Sequence, residues 1–125
     1  MSSDPVATAL GSNPTLGAKF ETFRSAAHDA LGEELTNQVR RVVAQVHGLD
    51  MAPGDEKRAV LSESRPCLDY ARRIPFEHTA ISDAEAAAVV DELGEDRFVA
   101  FSVVAALADA ECRAAKVGLT DLAVA

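Results

Sequence analysis

Apolar residues recur along this chain at the spacing of amphipathic helices. They return every three or four residues in segments 15–31 and 33–47, and again in segments 82–93 and 95–117. Residue types that favour β-strands, among them Thr, Ile and Tyr, are scarce. The chain is therefore predicted to be all-α.

The sequence also predicts where these helices begin and end. A glycine follows each of the four segments, at positions 32, 48, 94 and 118, and predicts its end. Ser82 lies three residues before Glu85, which is the spacing of a capping box. A short helix over 55–61 and another from about residue 66 bring the predicted number to six. Pro75 falls within the latter, so that helix either kinks there or ends near Arg73.

The length of 125 residues fits a single domain. Residues 1–14 lack periodicity and are predicted to form a loose arm, with the helical domain spanning 15–125. The final helix is apolar on nearly all sides. We therefore expect it to lie centrally, or to be covered on its second face by another subunit.

The net charge of −8 repels phosphate backbones and anionic lipid, so neither nucleic acid nor a membrane is an expected partner. The basic pairs Arg40–Arg41 and Arg72–Arg73 are best interpreted as solvated helix faces. No secretory pattern opens the chain, and no apolar run approaches the roughly 18 residues of a membrane span. We expect a cytoplasmic protein.

Two groups of polar residues are candidates for chemistry. His47 ends the second helix close to Asp50, and a histidine beside a carboxylate can serve as an acid or a base. The alternative is that His47 only caps the last carbonyls of the helix. Asp109 and Arg113 form an oppositely charged i,i+4 pair on one stripe with Lys116. This pair is expected either at an exposed surface or as an internal ion pair lining a pocket or interface.

The cysteines and histidines favour neither a metal nor a cofactor. Cys67 and Cys112 are far apart and form no CxxC motif, and His28, His47 and His78 do not share a helix face. Cys112 is expected to be a small buried apolar residue. Cys67, near a helix start, is expected to have a lowered thiol pKa.

Two parts of the chain resemble a known superfamily. The run VRRVVAQVHG at 39–48 is similar to a family helix that ends in a small-residue turn. The runs ISDAE at 81–85 and GEDRFVAF at 94–101, followed by 105–113, are similar to a capped helix and a long apolar helix with a late arginine. The chain thus resembles the AhpD-like alkylhydroperoxidase and carboxymuconolactone decarboxylase superfamily. The resemblance implies an AhpD-like helical bundle that forms trimers or hexamers.

The chain departs from that family at its redox motif. The two family cysteines would fall on about Leu49 and Ala52, and the family histidine near Glu56. Because a thiol peroxidase needs an attacking and a resolving thiol, peroxidase activity is not expected. In the decarboxylase branch the resemblance puts a site near the same turn, with His47, Asp50 and Glu56 as catalytic candidates. We therefore expect a divergent, non-redox member that binds a small molecule or serves as an oligomeric helical module. The alternatives are a decarboxylase-like or other acid–base enzyme that uses these residues, and an unrelated helical interaction protein.

Overall fold

The computed structural model describes residues 13–49 and 65–118, together with Leu10. In these ranges the chain forms five α-helices and no strand, which confirms the all-α prediction. The helices are α1 (Pro14–Leu31), α2 (Glu33–Val46), α3 (Pro66–Glu77), α4 (Asp83–Leu93) and α5 (Glu95–Lys116). A short 3₁₀ helix, His78–Ala80, joins α3 to α4. The predicted helix over 55–61 and most of the predicted arm lie outside the described residues.

Local side-chain chemistry sets where the helices begin. Asn13 Oδ1 accepts a hydrogen bond from the Leu16 backbone N–H at 3.1 Å, and Pro14 occupies the first helical position. As a result α1 begins one residue before the predicted start. At α4, Ser82 Oγ accepts from the Glu85 N–H at 3.1 Å, while Glu85 Oε1 accepts from the Ser82 N–H at 3.0 Å. The predicted capping box is confirmed.

Glycines end the helices where the sequence predicts. Gly32, with a φ of 103°, separates α1 from α2, and Gly94, with a φ of 84°, separates α4 from α5. A side chain at either position would be strained, since positive φ brings Cβ close to the backbone. Each of these two glycines is the single residue between successive helices, which contact each other.

Helix α3 runs through Pro75 to Glu77 and does not end near Arg73. Pro75 lies in the last turn, where backbone carbonyls lack partners within the helix. Its own carbonyl accepts a hydrogen bond from the Arg113 guanidinium of α5. The carbonyl of Pro75 therefore ties the end of α3 to α5.

Helix α5 lies at the centre of the domain and packs against each of the other four helices. Its inner face combines small residues with one aromatic ring, so neighbouring helices approach closely. Phe101 is fully buried and meets the Tyr70 ring edge-on, with ring centroids 5.7 Å apart. The buried residues of α5 are Ala100, Phe101, Val104, Ala105, Ala108, Glu111, Cys112 and Ala114. None of the helices in the described ranges has the length and apolar character needed to cross a membrane.

The burial of Phe101 can be tested by truncation. Phe101→Ala should lower the free energy of unfolding by about 3–5 kcal/mol, because it removes a fully buried ring and leaves a cavity. Denaturant unfolding followed by circular dichroism measures the change. Val99→Ala is the matched control on the same helix, since Val99 is 65% exposed and its truncation should cost less than about 0.5 kcal/mol. Equal losses from the two variants would contradict the central position of α5.

Candidate functional site

Five side chains from three helices meet where α2 ends against α3 and α5. We call this group the His47 cluster. His47 follows the last turn of α2, Phe76 lies in the last turn of α3, and the others lie on the second half of α5. Its members are His47, Phe76, Asp109, Arg113 and Lys116. The i, i+4 and i+7 spacing of the three α5 residues puts them on one side of that helix.

The histidine ring is enclosed, and both of its nitrogens face polar groups. His47 Nε2 lies 2.7 Å from Asp109 Oδ1, and the His47 side chain has 0% exposure against 19% for Asp109. Because an ionised carboxylate only accepts hydrogen bonds, this contact assigns the ring proton to Nε2. Nδ1 is then an acceptor, and it faces Lys116 Nζ at 3.4 Å. The cluster therefore has the order amine, imidazole, carboxylate.

An aromatic ring and two cations form the outer part of the cluster. The Phe76 ring is 57% exposed, and it contacts the His47 ring edge-on with centroids 5.0 Å apart. The Arg113 guanidinium carbon and Lys116 Nζ lie 5.2 and 5.6 Å from the Phe76 centroid. Arg113 is fixed by Asp109 at 3.1 Å and by the Pro75 carbonyl. The cluster itself thus holds two cations and one carboxylate, in a chain whose net charge is −8.

The structure brings together four of the residues singled out in the sequence. His47, Asp109, Arg113 and Lys116 lie in one cluster, where Asp109 provides a carboxylate beside the imidazole. The other two candidates, Asp50 and Glu56, lie outside the described residues. No pattern in the sequence points to Phe76, whose role depends on α3 ending against α2 and α5.

A second polar contact lies at the start of α3. Glu92 Oε1 accepts from the Cys67 backbone N–H at 2.9 Å, Glu92 Oε2 lies 3.5 Å from Cys67 Sγ, and Arg65 pairs with Glu92 at 2.7 Å. Burial, with the Glu92 charge, raises the pKa of the Cys67 thiol to about 11. The predicted lowering is wrong, because desolvation and the capping carboxylate outweigh the helix N-terminus.

Opposing effects act on the pKa of the Glu92 carboxylate. Burial alone would raise the pKa of Glu92, but hydrogen bonds from Cys67 and Arg65 outweigh it, and the pKa is lowered from its ordinary value. A lowered carboxylate pKa stabilises the fold at neutral pH, and this contribution is lost as the pH falls through the lowered value. We interpret the Cys67–Glu92 contact as a helix cap that fixes α4 against α3.

The remaining buried charge is also paired across helices. Glu111 is 7% exposed and accepts from Arg24 at 2.7 Å, with Arg40 at 3.6 Å. Arg72 pairs with Asp69 at 2.7 Å, and Arg73 pairs with Glu85. In the two basic pairs of the sequence, Arg40, Arg72 and Arg73 are thus engaged by carboxylates. Cys112 is 5% exposed, which confirms it as a small buried residue.

We also considered surface hollows and groups of side chains that could bind a metal. A hollow of about 370 Å³ on α1 and one of about 200 Å³ at the junction of α1 with α2 are open to solvent. In residues 13–49 and 65–118, no group of three or more His, Cys, Asp or Glu side chains is arranged to hold a metal ion.

Comparison with known proteins returns no relative. No family model matches the chain, and no curated protein and no solved structure matches it either. Membership of the AhpD-like superfamily therefore stays a prediction.

The state of the two thiols can be measured with Ellman's reagent. Near pH 8, both should react about a hundredfold more slowly in the folded chain than in guanidinium. Their pKa values are raised to about 11 from 9.0, and each unit lowers the thiolate fraction tenfold. As the pH rises, the folded rate should keep increasing towards pH 11, whereas the unfolded rate levels off above its ordinary pKa.

A charge substitution separates the two cysteines. Glu92→Gln removes the charge that raises the pKa of Cys67, so it should speed the reaction of Cys67 and leave Cys112 unchanged. Alkylation followed by peptide mass mapping distinguishes the two sites. Native rates equal to the unfolded rates would contradict the raised pKa values.

Proposed function

We propose that the protein performs acid–base chemistry, without a redox thiol, on a small anionic carbonyl compound at the His47 cluster. The observation that carries this proposal is the 2.7 Å contact between His47 and Asp109, which joins α2 to α5. A carboxylate at one ring nitrogen fixes the tautomer of the imidazole and stabilises its protonated form. This is the arrangement in which a histidine serves as a general base.

The proton would enter and leave the cluster through Lys116. The His47 side chain has 0% exposure, so a substrate does not reach its ring directly. Lys116 is exposed, and its Nζ lies 3.4 Å from His47 Nδ1. The imidazole can therefore exchange a proton with the amine, while the amine meets the substrate. The exposed face of Phe76 lies beside Lys116 and offers an apolar contact.

Charge favours an anionic substrate. Arg113 and Lys116 both lie against Phe76, so a carboxylate placed between these two side chains would meet two cations. A pair of cations contrasts with the net charge of −8 on the chain, which on the whole repels anions. A compound with a carboxylate next to a carbonyl satisfies the cations, and its neighbouring C–H is acidic enough for base chemistry.

Thiol chemistry has less support. Cys67 and Cys112 are buried, and burial raises the pKa of each thiol to about 11, so thiolate is scarce near neutrality. This agrees with the absence of a CxxC motif. The resemblance in residues 39–48 and 81–113 favours an AhpD-like fold, and its decarboxylase branch implies non-thiol chemistry near the turn that begins at His47.

A second candidate function is an oligomeric helical module. Along α5 and the residue that follows it, apolar residues at spacings of seven, four and seven are exposed: Val99, Ala106, Ala110 and Val117. Half-buried Val103 lies on the same stripe. Such a stripe fits the α5 of a second copy, as small residues allow close helix packing. The resemblance implies a trimer or hexamer.

Isotope exchange tests the acid–base proposal. In D₂O, the wild-type protein should speed exchange of the protons next to the carbonyl of pyruvate above the buffer rate. His47→Gln and Asp109→Asn should lower the protein-dependent rate about a hundredfold, since each removes a member of the proton-accepting pair. Proton NMR of pyruvate measures the rate.

Two matched variants serve as controls. His78→Gln and Asp91→Asn change an exposed histidine and an exposed aspartate outside the cluster, and should keep the wild-type rate. Circular dichroism should show all four variants folded. A wild-type rate equal to that of buffer, or unchanged rates in His47→Gln and Asp109→Asn, would refute the proposal.

Size-exclusion chromatography with light scattering tests the oligomer. We expect the wild type to elute as a trimer or hexamer, and Ala110→Glu to shift it towards monomer by placing a charge in an apolar contact. Ala87→Glu, at an exposed position of α4, should leave the mass unchanged. A monomeric wild type would contradict the module without bearing on the His47 cluster.

A further inference from the structure

We infer that Lys116 Nζ is a nucleophile that binds small anionic aldehydes and 2-oxo acids covalently, as a reversible imine. The inference rests on the proposed function, because it uses the His47–Asp109 pair as the group that takes and returns the proton. It goes further by assigning a bond between the protein and its substrate.

Lys116, His47 and Asp109 are arranged like the nucleophile, the base and the orienting carboxylate of an activated nucleophile. An exposed nucleophile, Lys116, faces a ring nitrogen at 3.4 Å, and the other ring nitrogen is oriented by Asp109 at 2.7 Å. The ring is held from a further side by Phe76, with centroids 5.0 Å apart. An imidazole enclosed in this way stays aimed at the amine, while the amine stays open to solvent.

The proton and electrons balance within the cluster and the substrate. His47 Nδ1 accepts a proton from the Lys116 ammonium, and Asp109 stabilises the imidazolium that forms. The freed lone pair on Nζ attacks the carbonyl carbon, and the carbonyl π electrons move to oxygen. A proton then passes from the nitrogen to that oxygen, which gives a neutral carbinolamine. The proton on Nδ1 is transferred to the departing hydroxyl, and the nitrogen lone pair forms the C=N bond of a protonated imine as water leaves. Hydrolysis reverses each step, and no oxidant or reductant takes part.

The charges around Lys116 suit a substrate that carries a carboxylate. From α5, Arg113 and Asp109 face this region, from α2 the imidazole of His47, and from α3 the Phe76 ring. Asp109 is occupied by both His47 and Arg113. Arg113 is the cation beside the amine, three residues before it on α5, and a bound carboxylate would pair with it.

The chain supplies an internal reference for a labelling experiment. It contains three lysines, at positions 19, 57 and 116. Lys19 is exposed on α1, away from the cluster, and serves as the ordinary amine. Labelling of Lys116 can therefore be compared with that of Lys19 within the same molecule, which cancels differences in reagent and protein concentration.

Reductive trapping tests the inference. The full chain is incubated with glyoxylate and sodium cyanoborohydride, and adducts are located by peptide mass mapping. Lys116 should be labelled at least about tenfold faster than Lys19, as general-base assistance is worth that much or more. His47→Gln and Asp109→Asn should bring Lys116 down to the Lys19 rate, while His78→Gln keeps the selectivity. Arg113→Gln should slow labelling by glyoxylate but not by neutral acetaldehyde.

The outcomes separate this inference from the proposed function. Equal labelling of Lys116 and Lys19 overturns the inference, as does selectivity that persists unchanged in folded His47→Gln. If pyruvate exchange still depends on His47 in that case, the acid–base proposal stands and only the covalent step fails. Selective, His47-dependent labelling without any pyruvate exchange supports the amine site and refutes the proton abstraction. Loss of both effects refutes both.

Discussion

The burial of α5 is the constraint on which the rest of this structure depends. A single helix contacts all four others, so every residue on its inner face must fit a neighbouring helix. Alanines at 100, 105 and 108 let those helices approach, and Phe101 fills the centre. The charged residues of its second half meet partners from α1, α2 and α3.

Each of these polar contacts joins segments far apart in sequence. Glu111 meets Arg24 across 87 residues and Asp109 meets His47 across 62. A buried carboxylate without a partner is strongly destabilising, so such pairs restrict how α1 and α2 slide along α5. The small side chains of the core offer little shape of their own to set that register. Paired charges and caps then do what larger interlocking side chains do in other bundles.

How much of this could be predicted depends on the range of each interaction. The capping box of Ser82 with Glu85 and the turn at Gly32 are local, and the sequence predicts both. The pKa of the Cys67 thiol is raised by burial and then by the charge of Glu92, 25 residues away, so an inference from Cys67 and its own helix start had the wrong sign. For the same reason the carboxylate beside His47 came from α5, a helix whose packing against α2 no local pattern specifies.

The His47–Asp109 contact is equally suited to tying two helices together and to moving a proton. The amine of Lys116, the third group of the cluster, favours the second of these two roles. A contact that only ties helices gains nothing from an exposed amine at the remaining ring nitrogen, or from a phenyl ring left 57% exposed beside two cations. The fold would be more stable if the Phe76 ring were buried, because its exposed apolar surface contributes nothing to stability. In the proposed function, the enclosed imidazole supplies a base of fixed orientation, and the cost of exposure falls on the groups that would meet a substrate. Rigidity inside and accessibility outside are what a reactive amine at Lys116 requires.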